Sequence, residues 1–327
     1  MKNLVIFDTA VGSTNLGDDI ILDSIYENMD YLFSNNFALR FGTHITNFTF
    51  AQMLRNNEKV KYCKDADLKF ICGTNLLSQK MLGMVNAQWQ LHLSSISIYR
   101  GCVMIGVGAT DGGEKVDIYA QRLYKSVLSK QYVHSVRDEQ SRKIVESLGL
   151  KAINTGCPTL WQLTPQHCES IPVKKAENAI FTVSGYEAQR DSEIDSQMIS
   201  ILEKQYKKLW CWIQTSQDRD YLYELVGENT KINCIYSLSA FRKILKEENV
   251  DYIGTRLHGG VFALQNSVRS LVISIDHRAR GFHEKNNLPI MERKDVPNRL
   301  EAWINADNKT KIWIDEKAIG EFKAQFA

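Results

Sequence analysis

Short β-rich runs alternate with helical patterns from one end of this 327-residue chain to the other, and that alternation predicts βαβ units and parallel sheets. In the first half the runs are residues 4–8, 37–41, 68–72, 102–107, 132–136 and 151–154. Between them lie stretches such as 18–33, where Ile21, Ile25, Met29 and Leu32 repeat with a helical period. Six such strands predict a full doubly wound sheet. The rhythm breaks at 163–178, where Pro165 and Pro172 stand among polar residues, so the linker is placed there. A second series follows at 179–184, 209–213, 231–235, 251–254 and 270–275, with helical patterns between the runs.

The expected fold class is therefore α/β, with two Rossmann-like domains whose parallel sheets face a central cleft, a glycosyltransferase-B-like architecture. The domains are expected at 1–165 and 175–327, sizes that allow each its own core. A net charge of +2 and the lack of any polybasic run argue against nucleic acid as a partner. Residues 1–8 read as a first strand rather than a leader, and no apolar run approaches the roughly 20 residues that span a bilayer. Seven scattered cysteines without a CxxC pair fit a reducing compartment, so the expected location is cytoplasmic.

Ligands of open parallel sheets bind beyond the carboxyl ends of the strands. In the first half those positions hold Asn15, Gly17 and Asp18, then Gly73, Thr74 and Asn75, the loop from Gly106 to Gly113, and Arg137 with Asp138. In the second half they hold Ser184 and Gly185, Arg256 and His258, and Asp276 through Gly281. Asn15, Gly73, Asn75 and Ser184 are expected to line the acceptor side of the cleft.

Three cationic groups stand out. Arg256-Leu257-His258-Gly259 runs from a strand end into a helix start, where unpaired N–H groups already favour an anion. The same residues also fit a surface Arg beside a His satisfied in the core. Asp276-His277-Arg278-Ala279-Arg280-Gly281 reads as a Gly-ended loop in which two Arg hold one anion, or equally as a solvated loop. Asp138 looks like a helix N-cap with Ser141 at N3, whereas Arg137 has no such structural task. Weaker signals are Gly106 to Gly113, taken as a turn, and Asp65 with Asp67, which precede their strand. Trp210 and Trp212 suggest a packed face, and Met81, Met84 and Trp89 core or lid. No metal site is expected.

These residues resemble the polysaccharide pyruvyl transferases. The motifs that carry the likeness are Asn15-Leu16-Gly17-Asp18, Gly73-Thr74-Asn75-Leu76-Leu77, Val136-Arg137-Asp138 with Ser141, Gly156-Cys157-Pro158-Thr159-Leu160, and Arg256-Leu257-His258-Gly259, in that order along the chain. The chain departs from the family at Cys157, at 266–269, and at Ile275-Asp276-His277-Arg278, where Arg278 stands for a Lys. The resemblance implies phosphoenolpyruvate as co-substrate with no further cofactor. It also implies a glycan or lipid-linked oligosaccharide acceptor, and hence proximity to a membrane through that acceptor. It puts Arg137, Arg256 and His258 at donor-binding and catalytic positions. Leu257, Arg278 and Arg280 are further expected donor contacts, His258 is expected to transfer the proton, and Asp18 either orients or deprotonates the acceptor hydroxyl or simply starts its helix. A nucleotide-sugar glycosyltransferase and a noncatalytic glycan-assembly scaffold are the alternatives that the same fold would serve.

Overall fold

A computed structural model describes residues 1–81, 88–110, 115–228 and 230–327. It divides into two compact units. The first comprises residues 1–13, 21–161 and 315–327, and the second comprises 14–20 and 162–314.

In the first unit, strands β1 (Asn3–Asp8), β2 (Phe37–Gly42), β3 (Leu68–Cys72) and β4 (Cys102–Ile105) form a parallel sheet in the order β2-β1-β3-β4. Asp8 is in register with both Gly42 and Cys72, so the three carboxyl ends finish level. Every residue of β3, and every residue of β1 after Asn3, is buried, as expected for parallel strands covered on both faces. Val5 and Phe7 point into a core with Ile71, Tyr99 and Tyr124.

The full six-stranded sheet expected here is instead four strands and a separate parallel pair, β5 (His134–Val136) with β6 (Ala152–Asn154). Side chains tie β4 to β5 beside a single backbone bridge, Val107 to Val136. The Met104 N–H donates to Nδ1 of buried His134 at 3.2 Å, and the Gly106 N–H donates to Ser135 Oγ at 2.9 Å. His134 completes the link by donating from Nε2 to the Ser129 carbonyl at 2.9 Å. That pattern fixes a neutral ring with its proton on Nε2. Burial lowers the pKa of His134 to about 4, against the smaller opposing effect of the Ser129 carbonyl.

The second unit holds one six-stranded parallel sheet. Its strands are β7 (Asn178–Thr182), β8 (Leu209–Trp212), β9 (Asn233–Ile235), β10 (Val250–Gly254), β11 (Ser270–Ser274) and β12 (Ile290–Glu292). The order is β12-β11-β10-β7-β8-β9, so the chain reverses its direction of travel between β7 and β10. The last strand was not foreseen, because only three residues pair and Pro289 precedes them. Trp210 and Trp212 pack in a core with Phe241 and Tyr252, the packed face expected of them.

The unit boundaries also differ from the expected ones. Residues 315–327 belong to the first unit, where Phe322 lies against Trp161 and Phe326 against Phe70 and Tyr132. Gln325 seals the contact through Val133, accepting its N–H at 2.7 Å and donating to its carbonyl at 3.2 Å. Residues 14–20 group with the second unit because the Leu16 N–H donates to the Gln214 carbonyl and Ile20 is buried with Trp212 and Phe241. The Pro165 stretch is no open linker either: Thr164 caps a short helix, Pro165–Glu169, and Cys168 is buried.

Candidate functional site

The reversal between β7 and β10 is the crevice where doubly wound sheets bind ligands. Here the two strand ends touch so closely that only glycine fits at Gly254: a Cβ there would come within 2.5 Å of the Thr182 nitrogen. Thr182 Oγ1 then accepts the Arg256 N–H at 3.1 Å, and the Arg256 carbonyl accepts from the Tyr252 hydroxyl at 2.8 Å. The helix Leu257–Gln265 starts from this point, with Arg256 at its N-cap and Leu257 and His258 half-buried in its first turn.

Arg256 is 5% exposed and is not a loose cation. Its Nε donates to Asp218 at 3.0 Å, its Nη2 pairs with the other Asp218 oxygen, and Nη2 also donates to Thr215 Oγ1 at 3.2 Å. The Tyr186 ring lies over the guanidinium, 4.5 Å from ring centre to Cζ. Asp218 accepts further hydrogen bonds from the N–H groups of Gly185 and Thr215, at 2.9 and 3.1 Å. Gly185 has no room for a side chain, since a Cβ would sit 2.6 Å from the Asp218 nitrogen. Asp218, Thr215 and Tyr186 went unnoticed in the sequence because nothing in Thr215-Ser216-Gln217-Asp218 shows more than a helix start.

Ser184, an expected cleft-lining residue, follows β7 with its hydroxyl engaged inside the unit. Buried Ser184 donates to Gln189 Oε1 at 2.9 Å, and Gln189 Nε2 reaches Asp276 Oδ2 at 3.3 Å. The segment after β11 is a helix, His277–Asn286, rather than a Gly-ended loop, with Asp276 as its N-cap. Residues two apart on a helix point roughly 200° from each other, so Arg278 and Arg280 do not grip one anion together. Arg278 pairs with Asp276 at 2.6 Å and Arg280 with Glu292 at 3.0 Å. Burial works to raise the Asp276 pKa, but the bonds and charge of Arg278 outweigh it and leave the carboxyl below its usual value.

Asn15 also belongs to this unit. Its Oδ1 accepts from the Gly17 N–H at 2.9 Å and from Gln214 Nε2 at 2.6 Å. Asp18, buried, stands in the first turn of the helix Gly17–Asn28 and donates its N–H to the Asn15 carbonyl at 3.0 Å.

In the first unit the corresponding reversal lies between β1 and β3. Gly73, at φ +68°, follows β3, and a Cβ there would strike Ile21. Asn75 Oδ1 and Thr9 Oγ1 are buried without a hydrogen-bond partner among the described residues. At the end of β2, His44 Nδ1 lies 3.0 Å from Thr43 Oγ1. Burial lowers its pKa, against the opposing charge of Asp8. His44 was missed, although its place just past a strand end was a readable signal.

Arg137 follows β5 and is mostly buried, with Nε 3.4 Å from Asp138 Oδ2. It lies across Gly108, where a Cβ would come within 2.7 Å of its Cζ. Asp138 caps its helix as expected, accepting from the Ser141 N–H at 2.8 Å. Ser141 does more than fill N3: its hydroxyl accepts the Ala109 N–H at 2.8 Å and so holds the loop under Arg137. Residues 106–110 are not the expected turn: beyond a bend at Gly106 the chain runs extended, with Val107 bridged to Val136 and Ala109 to Leu77, while Asp111, Gly112, Gly113 and Met84 lie outside the described residues. Among the described residues no cluster of three or more His, Cys, Asp or Glu is placed to hold a metal.

A family model described as polysaccharide pyruvyl transferase matches residues 15–277, a span that takes in Asp18, Arg137, Arg256 and His258. The chain belongs to this family. Solved structures similar to it include UDP-GlcNAc 2-epimerase from Methanocaldococcus jannaschii, at 14% identity and a TM-score of 0.55 over 99% of this chain and 100% of that one. The same enzyme in complex with UDP-GlcNAc and UDP gives 13% and 0.52, with the same coverage. A putative UDP-N-acetylglucosamine 2-epimerase from Listeria monocytogenes gives 11% and 0.53 over 99% of this chain and 95% of that one. No curated protein matches the sequence. At these identities the structures establish the fold alone: this pyruvyl transferase family member is α/β and glycosyltransferase-B-like, with parallel sheets.

Proposed function

We propose that this chain moves pyruvate from phosphoenolpyruvate onto a sugar of a polysaccharide or lipid-linked oligosaccharide, forming a cyclic ketal and releasing phosphate. The observation that carries the reading is the preset Arg256 at the strand reversal of the second sheet, with His258 in the first turn of the helix it opens. An anion approaching that turn meets the positive end of the helix and a guanidinium whose Nε and Nη2 are already fixed by Asp218 and Thr215.

In this reading Arg256 neutralises the anionic donor, with Leu257 and Arg278 beside it, and no divalent metal is needed. His258 transfers a proton to the methylene carbon, which becomes the ketal methyl group, as one sugar hydroxyl attacks the central carbon. A second hydroxyl then attacks the same carbon, the bond to the phosphate oxygen breaks, and phosphate leaves with the remaining proton. Asp18 orients or deprotonates the acceptor hydroxyl, and Asn15 belongs to the acceptor side.

The test is incubation with phosphoenolpyruvate and a panel of glycosides, reading inorganic phosphate and product mass together. Equimolar phosphate and a glycoside heavier by one pyruvate ketal is the expected result. Transfer of a sugar from a nucleotide sugar, with no phosphate from phosphoenolpyruvate, would replace this reading with that of a glycosyltransferase.

A further inference from the structure

On the second sheet one hydroxyl stands apart from the others. Ser274, the last residue of β11, is 2% exposed, and its Oγ has no hydrogen-bond partner among the described residues. Other hydroxyls of this sheet are engaged: Thr182 Oγ1 accepts the Arg256 N–H, Ser184 donates to Gln189, and Ser270 donates to the Gly260 carbonyl at 2.9 Å. A buried hydroxyl left unpaired destabilises the fold unless a bound partner takes it up.

The period of a strand places Ser270, Val272 and Ser274 on one face of β11, opposite Leu271 and Ile273, which pack in the core with Val296 and Leu300. The first two lie against the helix Leu257–Gln265. Ser270 does so through its bond to Gly260, and Val272 through a Cγ2 that a Cβ at Gly260 would approach to 2.5 Å. That helix connects the parallel strands β10 and β11 and so runs back along them, and each step toward the carboxyl end of β11 leads toward its first turn. Ser274 lies two residues, about 6.6 Å, beyond Val272. Arg256 lies four residues, about 6 Å, before Gly260. The strand register agrees: Gly254 pairs with Val272, so continuing the pairing sets Arg256 opposite Ser274. The orphan hydroxyl is thus aimed at the start of the helix that Arg256 opens.

We propose that Ser274 is a further contact for phosphoenolpyruvate, its hydroxyl donating to a phosphate or carboxylate oxygen held at the start of the helix Leu257–Gln265. The inference rests on the proposed reaction and adds to it a residue that carries no charge. Arg256 Nε and Nη2 are committed to Asp218 and Thr215, and Arg278 is paired with Asp276. An incoming anion therefore still needs a directed hydrogen bond, which the helix end supplements with its partial positive charge. A sugar hydroxyl would also satisfy Ser274, but it gains nothing from the guanidinium and the helix end beside it. A resident water would occupy the place too, and then removing the hydroxyl would not change the affinity for an anion.

The experiment is isothermal titration of the full chain with phosphoenolpyruvate and, separately, with inorganic phosphate, beside urea unfolding of the free protein. Ser274→Ala should lower the affinity for phosphoenolpyruvate about tenfold or more, because a hydrogen bond to a charged oxygen is lost. In the free protein the same change deletes an unpaired polar atom, so its unfolding midpoint should equal or exceed the parent's. Ser270→Ala is the control on the same face. It strips a bond from the Gly260 carbonyl, so it should lower the midpoint and leave the affinity within a few-fold. If Ser274→Ala binds both anions as the parent does, the inference is overturned and the proposed reaction stands. If the parent binds phosphate but not phosphoenolpyruvate, the proposed reaction falls, and the phosphate affinity of Ser274→Ala decides the inference: a tenfold loss supports it and an unchanged value overturns it. A parent that binds neither anion overturns both.

Discussion

Asp218 engages two guanidinium nitrogens of Arg256 with its two carboxylate oxygens, and both side chains are shut away from water. Removing one partner of such a pair leaves an uncompensated buried charge, which costs about 3–5 kcal/mol. Asp218→Ala should therefore lower stability by that order in urea unfolding. Asp218→Leu combined with Arg256→Met should recover much of the loss, because two apolar groups of similar volume need no counter-charge. The double variant should remain inactive, which separates the stability role of the pair from its role toward a ligand.

Gly108 offers a way to move Arg137 without altering it. A Cβ at residue 108 collides with the guanidinium end of Arg137, a flexible group that can swing away. Gly108→Ala is expected to cost about 1–3 kcal/mol of stability, as small-to-large changes do, and to weaken phosphoenolpyruvate binding about tenfold or more, as Arg137→Ala would. Isothermal titration beside a denaturant curve checks both halves. Unchanged donor affinity in both variants would remove Arg137 from the donor site.

His258 and Arg256 should differ in kinetic signature. His258→Gln is expected to lower turnover about a hundredfold while the KM for phosphoenolpyruvate stays within a few-fold, the pattern of a group acting in the transition state. Arg256→Ala should raise KM strongly as well as lower turnover. If His258→Gln turns over at nearly the parent rate, the proton chemistry passes to Asp18.

His134 should make stability depend on pH in a defined window. Its folded pKa, about 4, lies below the unfolded value near 6.5. Between these values the unfolded chain binds a proton that the folded chain refuses, so stability falls as pH drops from about 6.5 to about 4 and levels off below. The full span corresponds to about 3 kcal/mol. Denaturant midpoints across that range should show the slope, and His134→Asn should flatten it. A slope of equal size in the variant would assign the effect to other groups.

Much of this fold was legible because buried parallel strands leave continuous apolar runs such as Val5-Ile6-Phe7 and Phe70-Ile71-Cys72. Glycines at strand ends carried the site, since Gly254 has a backbone at contact distance and Gly73 a positive φ that other residues avoid. Long-range partnership was not legible. Asp218 meets Arg256 across 38 positions, and Phe326 meets Phe70 across most of the chain. The helix at Arg278 was misread as a loop because Arg and Gly within it hide a weak amphipathic pattern, while its real signal, Asp276 as N-cap, was at hand.

Residues 315–327 close the first unit, and that placement bears on the order of folding during synthesis. Domains ordinarily fold as they emerge, the earlier one first. Here the aromatic seam of Phe70, Tyr132, Trp161, Phe322 and Phe326 stays open until the second unit's stretch, 162–314, has been made. Until then Phe70 and Tyr132 lack the neighbours that cover them in the native state. The nascent first unit thus waits on its distant end, as a zipper waits on its slider.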